Sequence, residues 1–89
     1  MTLKEWRSKN AITLAKLATL CGMYGVNPAR DLHRYENGSR QTPVLVVEKI
    51  VKATKGMVTA QDMHETRLDW LRANRPNEVA NFPTVEVSA

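Results

Sequence analysis

One cysteine, Cys21, is the chain's whole thiol content, so no internal disulfide can form and a disulfide-stapled secreted scaffold finds no support. Catalytic spacing is missing too. His33, His64 and Cys21 stand apart from one another, His64 lies in no HExxH pattern, and no paired carboxylates or phosphate-cradling glycine loop occur. The expectation is a protein that is not an enzyme and carries no metal and no cofactor. Long apolar runs are absent as well: the longest is Val44 to Val47, against about 20 residues needed to span a bilayer. No charged-then-apolar leader is visible, so a soluble, cytoplasmic chain without a membrane partner is expected. Neither internal repeats nor low-complexity segments appear.

What is present is enough for one small domain. Hydrophobic residues make up 43% of 89, which fills a modest core. Charge is unevenly divided. Residues 1 to 56 carry ten Lys/Arg against four acids, whereas residues 57 to 89 carry three against five, so the net +4 is a basic first part and a mildly acidic second. That asymmetry favours a polyanionic partner for the first part and a different one for the second.

The chain is organised around Thr13 to Gly38. Leu14, Leu17, Ala18 and Cys21 recur at helical spacing, and a second helix start follows at Asn27-Pro28, so this stretch reads as two short helices joined by a glycine-containing turn. In the second helix Asn27 is suited to the N-cap, Pro28 to the first turn and Gly38 to the left-handed position past the end. At about 100° per residue, Ala29, Leu32, Tyr35 and the stem of Glu36 share the inward side, and Arg30 and Arg34 lie together outside. Two guanidinium forks one turn apart match what a major-groove helix needs for guanine. On spacing alone they are equally a solvated face, with Asp31 as the local partner.

These residues carry a resemblance. Thr13-x-Ala15-x-Leu17-Ala18 with Gly22, then Pro28-Ala29, Arg34-Tyr35-Glu36-Asn37-Gly38 and Arg40-x-x-Pro43, resembles the Cro/repressor (xenobiotic-response-element) helix-turn-helix family of bacteria and phages over roughly residues 2 to 56. The resemblance implies an all-α, compact five-helix lambda-repressor-like DNA-binding domain, with the second helix of the motif in the major groove and the first crossing the backbone. Two departures stand out. Leu14 replaces the usual glutamine, and the turn Gly22-Met23-Tyr24-Gly25-Val26 is longer than the family norm by about four residues.

Outside the motif, Thr2 and Glu5 form a capping-box pattern for a helix from about Leu3 to Asn10, with Leu3 and Trp6 directed to the core and Arg7 and Lys9 to solvent. Thr42 and Pro43 are read as cap and opening of a fourth helix, whose stripe is Val44, Val47, Ile50, Val51 and Thr54 and which ends at Gly56. Leu45 and Val46 fall outside that stripe and hint at a subunit contact. Thr59 and Asp62 mark a fifth helix over about 60–73, with Ala60, Met63, Trp70, Leu71 and the stem of Arg67 on one side. The domain thus covers 1–74. Residues 75–89 read as an extended or flexible tail, whose Thr84-Val85-Glu86-Val87 alternates like a short strand.

The expected function is sequence-specific binding of a double-stranded DNA operator by a repressor-type regulator, acting as a homodimer on an inverted repeat read by helix 28–36. Arg34 and Arg30 are the leading base readers, with Asn27, Asp31 and His33 beside them. Lys16, Arg40, Arg7 and Tyr24 are the candidate backbone contacts; Tyr24 is as readily a cover for the core edge. Dimerisation would draw on Leu45, Val46, Trp70, Leu71, Val85 and Val87. The alternative is an antitoxin-like interaction module, autoregulating through the same motif and meeting a protein partner through residues 57–89.

Overall fold

Six helices follow one another in the computed structural model, which describes residues 1–80: α1 Leu3–Lys9, α2 Leu14–Leu20, α3 Pro28–Asn37, α4 Val44–Ala53, α5 Ala60–Asn74 and α6 Pro76–Ala80. No strand occurs among the described residues, so the architecture is all-α, and no helix among them is long and apolar enough to cross a membrane. Residues Val85 and Val87, and the strand expected around them, lie outside the described residues.

Side-chain caps start four of the helices. Thr2 with Glu5 and Thr59 with Asp62 form reciprocal capping boxes, while Thr13 accepts from the Lys16 amide and Asn27 from the Arg30 amide. Each satisfies a backbone donor that the first helical turn leaves free, at about 1 kcal/mol per cap. Two expectations fail at the remaining starts. Thr42 makes no capping bond and Pro43 itself occupies the N-cap of α4, in an extended conformation, so the helix opens one residue later at Val44. The expected tail from residue 75 is not uniformly extended, because Pro76 both stops α5 and, with its φ preset for a first turn, starts α6. Arg75 closes α5 by donating to the Leu71 carbonyl at 2.7 Å and pairs with Glu78 at 3.7 Å in the first turn of α6.

Helix ends are equally specific. After α1 the Ile12 amide donates to the Arg7 carbonyl (3.1 Å) and the Ala11 amide to Ser8 (3.2 Å), a Schellman closure that places Ala11 in the left-handed region at φ 51°. A methyl side chain is strained there, and Ala11→Gly is expected to raise stability by about 0.5–1 kcal/mol in urea denaturation. The same closure ends α2, from Met23 to Ala18 (2.9 Å) and from Gly22 to Thr19 (3.0 Å), but with glycine at the left-handed position.

The core is drawn from α1 to α5. Leu3, Leu17, Ala18, Cys21, Leu32, Ile50, Val58 and Met63 are buried, with Trp6, Met23, Tyr35, Val46 and Val47 packed around them. Fully burying each large side chain contributes about 1.5–3 kcal/mol. Helix α4 keeps Val47, Ile50 and Thr54 inward as expected, with Val51 half-buried, but its first turn differs: Val44 and Leu45 are exposed and Val46 packs on the core. Thr54 is satisfied inside by donating to the Ile50 carbonyl (2.9 Å) and accepting from the Val58 amide (3.2 Å). Burial pushes the Cys21 thiol up from its ordinary range. Its reaction with a disulfide reagent is therefore expected to be slow in the native protein and to accelerate in step with unfolding; rapid native-state labelling would contradict this burial.

Candidate functional site

Helix α3 is held from three sides, by α1, α2 and α5. Its inner face is Leu32 and Glu36, both buried, with Tyr35 half-buried beside them. Glu36 is more than a stem. Arg7 donates Nε to its Oε2 at 2.6 Å and Nη2 to its Oε1 at 2.9 Å, while Nη1 reaches the Ile12 carbonyl at 3.3 Å. The carboxylate side chain is only 3% exposed, so this bidentate pair locks α3 to α1 from within. Hydrogen bonding to Glu36 holds the Arg7 guanidinium above its ordinary pKa. Arg7, expected to face solvent as a backbone contact, is therefore engaged inside the fold, because a buried carboxylate needs its charge matched.

The outer face of α3 carries Arg30, His33 and Arg34, all exposed. Arg30 lies 3.9 Å from Asp31, a long contact between half-open side chains, and Arg34 has no ion-pair partner among the described residues. Asn27 is exposed at the head of the helix, where its Oδ1 is occupied as the cap and its amide nitrogen remains outside. Lys16 on α2 and Arg40 in the connection after α3 are also exposed. Tyr24 does not cover the core edge: it is 92% exposed.

The far end of α3 is fixed by a residue credited in the sequence with a packing stem alone. Arg67 of α5 donates Nη1 to the Gly38 carbonyl at 2.9 Å, and its guanidinium lies 5.2 Å from the centre of the Trp70 ring, with Arg75 at 5.4 Å from the same ring. Gly38, at φ 81°, is buried against the Thr66 carbonyl and the Cβ of Trp70. The residues are 29 apart in the chain, so no local spacing could have paired them. Arg67 also borders two adjoining clefts of about 270 and 410 Å³, which share Gln41, His64 and Arg67 and run along α4, α5 and α6. Of the expected dimer residues, Leu45 is exposed, Trp70 and Leu71 are half-buried, and Val46 is packed on the core.

No group of three or more His, Cys, Asp or Glu side chains suited to a metal ion occurs among the described residues. No protein-family model matches the chain, and neither a curated protein nor a solved structure matches it. The geometry alone must carry a functional reading.

Proposed function

We propose that the chain is a sequence-specific double-stranded DNA-binding transcriptional regulator of the repressor type, with α2 and α3 forming a helix-turn-helix in a lambda-repressor-like domain. The observation that carries this reading is the division of α3: Leu32 and the Arg7-paired Glu36 are buried, and Arg30, His33 and Arg34 are left outside. Such a helix is rigid on one face and cationic on the other. Arg34 and Arg30 are assigned to guanine edges, with Asn27, Asp31 and His33 adjoining. Lys16, Arg40 and the Tyr24 hydroxyl are assigned to phosphates. Arg7 is removed from that set. A homodimer on an inverted repeat follows from the two-fold logic of the motif, with the exposed Val44-Leu45 pair replacing Leu45-Val46 as the apolar contact on α4.

The test is titration of the purified protein against its own upstream DNA and a scrambled duplex at two salt concentrations. A preference of at least about 10³ that survives higher salt supports the reading, whereas equal, salt-sensitive binding to both leaves only a basic domain. Within that assay Arg34→Ala is expected to cost about 1–3 kcal/mol on the preferred sequence and to relax one base position; Lys16→Ala is expected to weaken all sequences alike and flatten the salt dependence. Equal losses for Arg34→Ala on preferred and scrambled DNA would remove it from base reading.

A second reading, the antitoxin-like module, draws on the clefts along α4, α5 and α6, which include Leu68, Leu71 and Val79. Residues 57–89 cannot be deleted to test it, since Met63 is core and Arg67 holds the end of α3. Leu71→Glu in the full chain is the suitable variant: release of a co-purifying protein with DNA binding retained would favour this reading.

A further inference from the structure

Asn37 and Gly38 form the one Asn-Gly step in the chain; the other asparagines precede alanine, proline, arginine, glutamate or phenylalanine. The fold uses both residues. Gly38 closes α3 at φ 81°, with the Thr66 carbonyl and the Cβ of Trp70 where a side chain would begin, and the Asn37 Oδ1 accepts the Ser39 amide at 2.8 Å. That second bond carries chemistry as well as structure. It places a donor on the oxygen where negative charge gathers when a nucleophile adds to Asn37 Cγ. The nucleophile one residue on is the Gly38 main-chain nitrogen, and glycine sets no Cβ in its path. What restrains this nitrogen is largely tertiary. It donates to the Tyr35 carbonyl at 3.3 Å, the Gly38 carbonyl accepts from Arg67 Nη1 at 2.9 Å, and Gly38 is buried against α5 while Asn37 is exposed. The turn from Asn37 to Ser39 spans three residues and needs nothing from α5. Opening of the α3 end therefore frees the nitrogen and leaves the activated amide in place.

We propose that Asn37 is a site of spontaneous deamidation, gated by the opening of this end of α3. The Gly38 nitrogen bonds to Cγ, the Cγ–Nδ2 bond breaks, and ammonia leaves with the proton given up by Gly38, closing a cyclic imide. Water then cleaves that imide at either carbonyl. Cleavage of the new N–Cγ bond leaves an aspartate side chain; cleavage at the original peptide carbonyl leaves isoaspartate, with the main chain running through Cβ and Cγ and the old carbonyl freed as a carboxylate. Water is consumed, ammonia is released and nothing is oxidised. Either product puts a negative charge one turn from His33 and Arg34, at the carboxyl end of α3 where the helix dipole opposes it. Isoaspartate also lengthens the main chain before Gly38 and shifts its carbonyl from Arg67. Resting on the DNA-binding reading, Arg34 is then drawn from the groove, so recognition decays with the age of the chain.

The test follows the full chain in mildly alkaline buffer by peptide mapping, which separates asparagine, aspartate and isoaspartate. Conversion is expected at Asn37 ahead of every other asparagine and to quicken with urea below the unfolding transition. In folded Arg67→Met, which gives up the bond holding Gly38, it is expected to run about tenfold faster. Conversion that tracks global unfolding alone, or equal rates in Arg67→Met and the parent, would overturn the gating; should that variant not fold, the urea series on the parent decides. Conversion at Asn37 no faster than at Asn10 even in urea would overturn the site itself. The aged parent is expected to lose about tenfold in operator affinity, the scale of one bidentate arginine contact, whereas Asn37→Ser, which keeps an acceptor for the Ser39 amide and has no amide to lose, shows no such decay. Undiminished affinity in the deamidated protein would overturn the effect on recognition. A chain that deamidates at Asn37 but never separates its upstream DNA from a scrambled duplex would overturn the DNA-binding reading and leave the modification site standing.

Discussion

Gly38→Ala is expected to destabilise the protein by about 2–4 kcal/mol, measured by urea or thermal denaturation. Two costs combine. At φ 81° an alanine pays the left-handed penalty, and its Cβ would meet the Thr66 carbonyl and stand 3.0 Å from the Cβ of Trp70. Neither neighbour can yield easily, since one is helix backbone and the other is fixed by the stacking of Arg67 and Arg75 on its ring. The strain would also fall on the Arg67 hydrogen bond to Gly38, so the end of α3 should loosen before the whole domain unfolds. Amide exchange is expected to show faster opening at residues 34–38 than in the first turn of α3. A variant as stable as the parent would mean that α3 and α5 can separate without cost.

Removing the carboxylate from Glu36 is the second large effect. Glu36→Ala is expected to cost about 2–3 kcal/mol, below the 3–5 kcal/mol of a fully buried pair because Arg7, with 23% of its side chain exposed, can turn its guanidinium toward water. Arg7→Ala is expected to cost at least as much, since it leaves the enclosed Glu36 carboxyl without the two donors that satisfy its oxygens. The decisive number is the coupling in a double-mutant cycle: the double variant should lie well short of the sum of the two single losses. Additive losses would show that the bidentate geometry contributes nothing beyond packing. On the proposed DNA-binding function, affinity should weaken in both single variants although neither residue belongs to the outer face of α3, because α1 then no longer fixes that helix.

Why some elements are legible in the sequence and others are not follows from the range of the forces involved. Helix starts at Leu3, Leu14, Pro28 and Ala60 are signalled by caps that act over three residues, and each stands where Thr2, Thr13, Asn27 or Thr59 indicates. The left-handed ends at Gly22 and Gly38 are local in the same sense. Helix α4 is different. Four consecutive apolar residues, Val44 to Val47, present no polar position from which to set the phase of the helix, and the choice between Val44 and Val46 was made by tertiary packing. Pro76 illustrates another ambiguity: one residue can end a helix and begin the next. At the candidate site, the outward position of Arg30 and Arg34 is a matter of periodicity. The inward turn of Arg7 onto Glu36 and the reach of Arg67 to Gly38 each join residues 29 apart, and such partners are chosen by how helices pack.

The double closure around Tyr24-Gly25-Val26 has a consequence for how this chain can change. Because α2 ends through its own carbonyls and α3 begins on its own asparagine, Tyr24 and Val26 carry no packing duty, whereas Gly25, at φ 136°, supplies the backbone conformation of the turn. The turn is therefore a permissive site for sequence drift, where new residues can be tried against a partner while the scaffold stays intact. A library randomised at 24 and 26, with Gly25 kept, should return mostly folded proteins, and its diversity would appear in what they recognise.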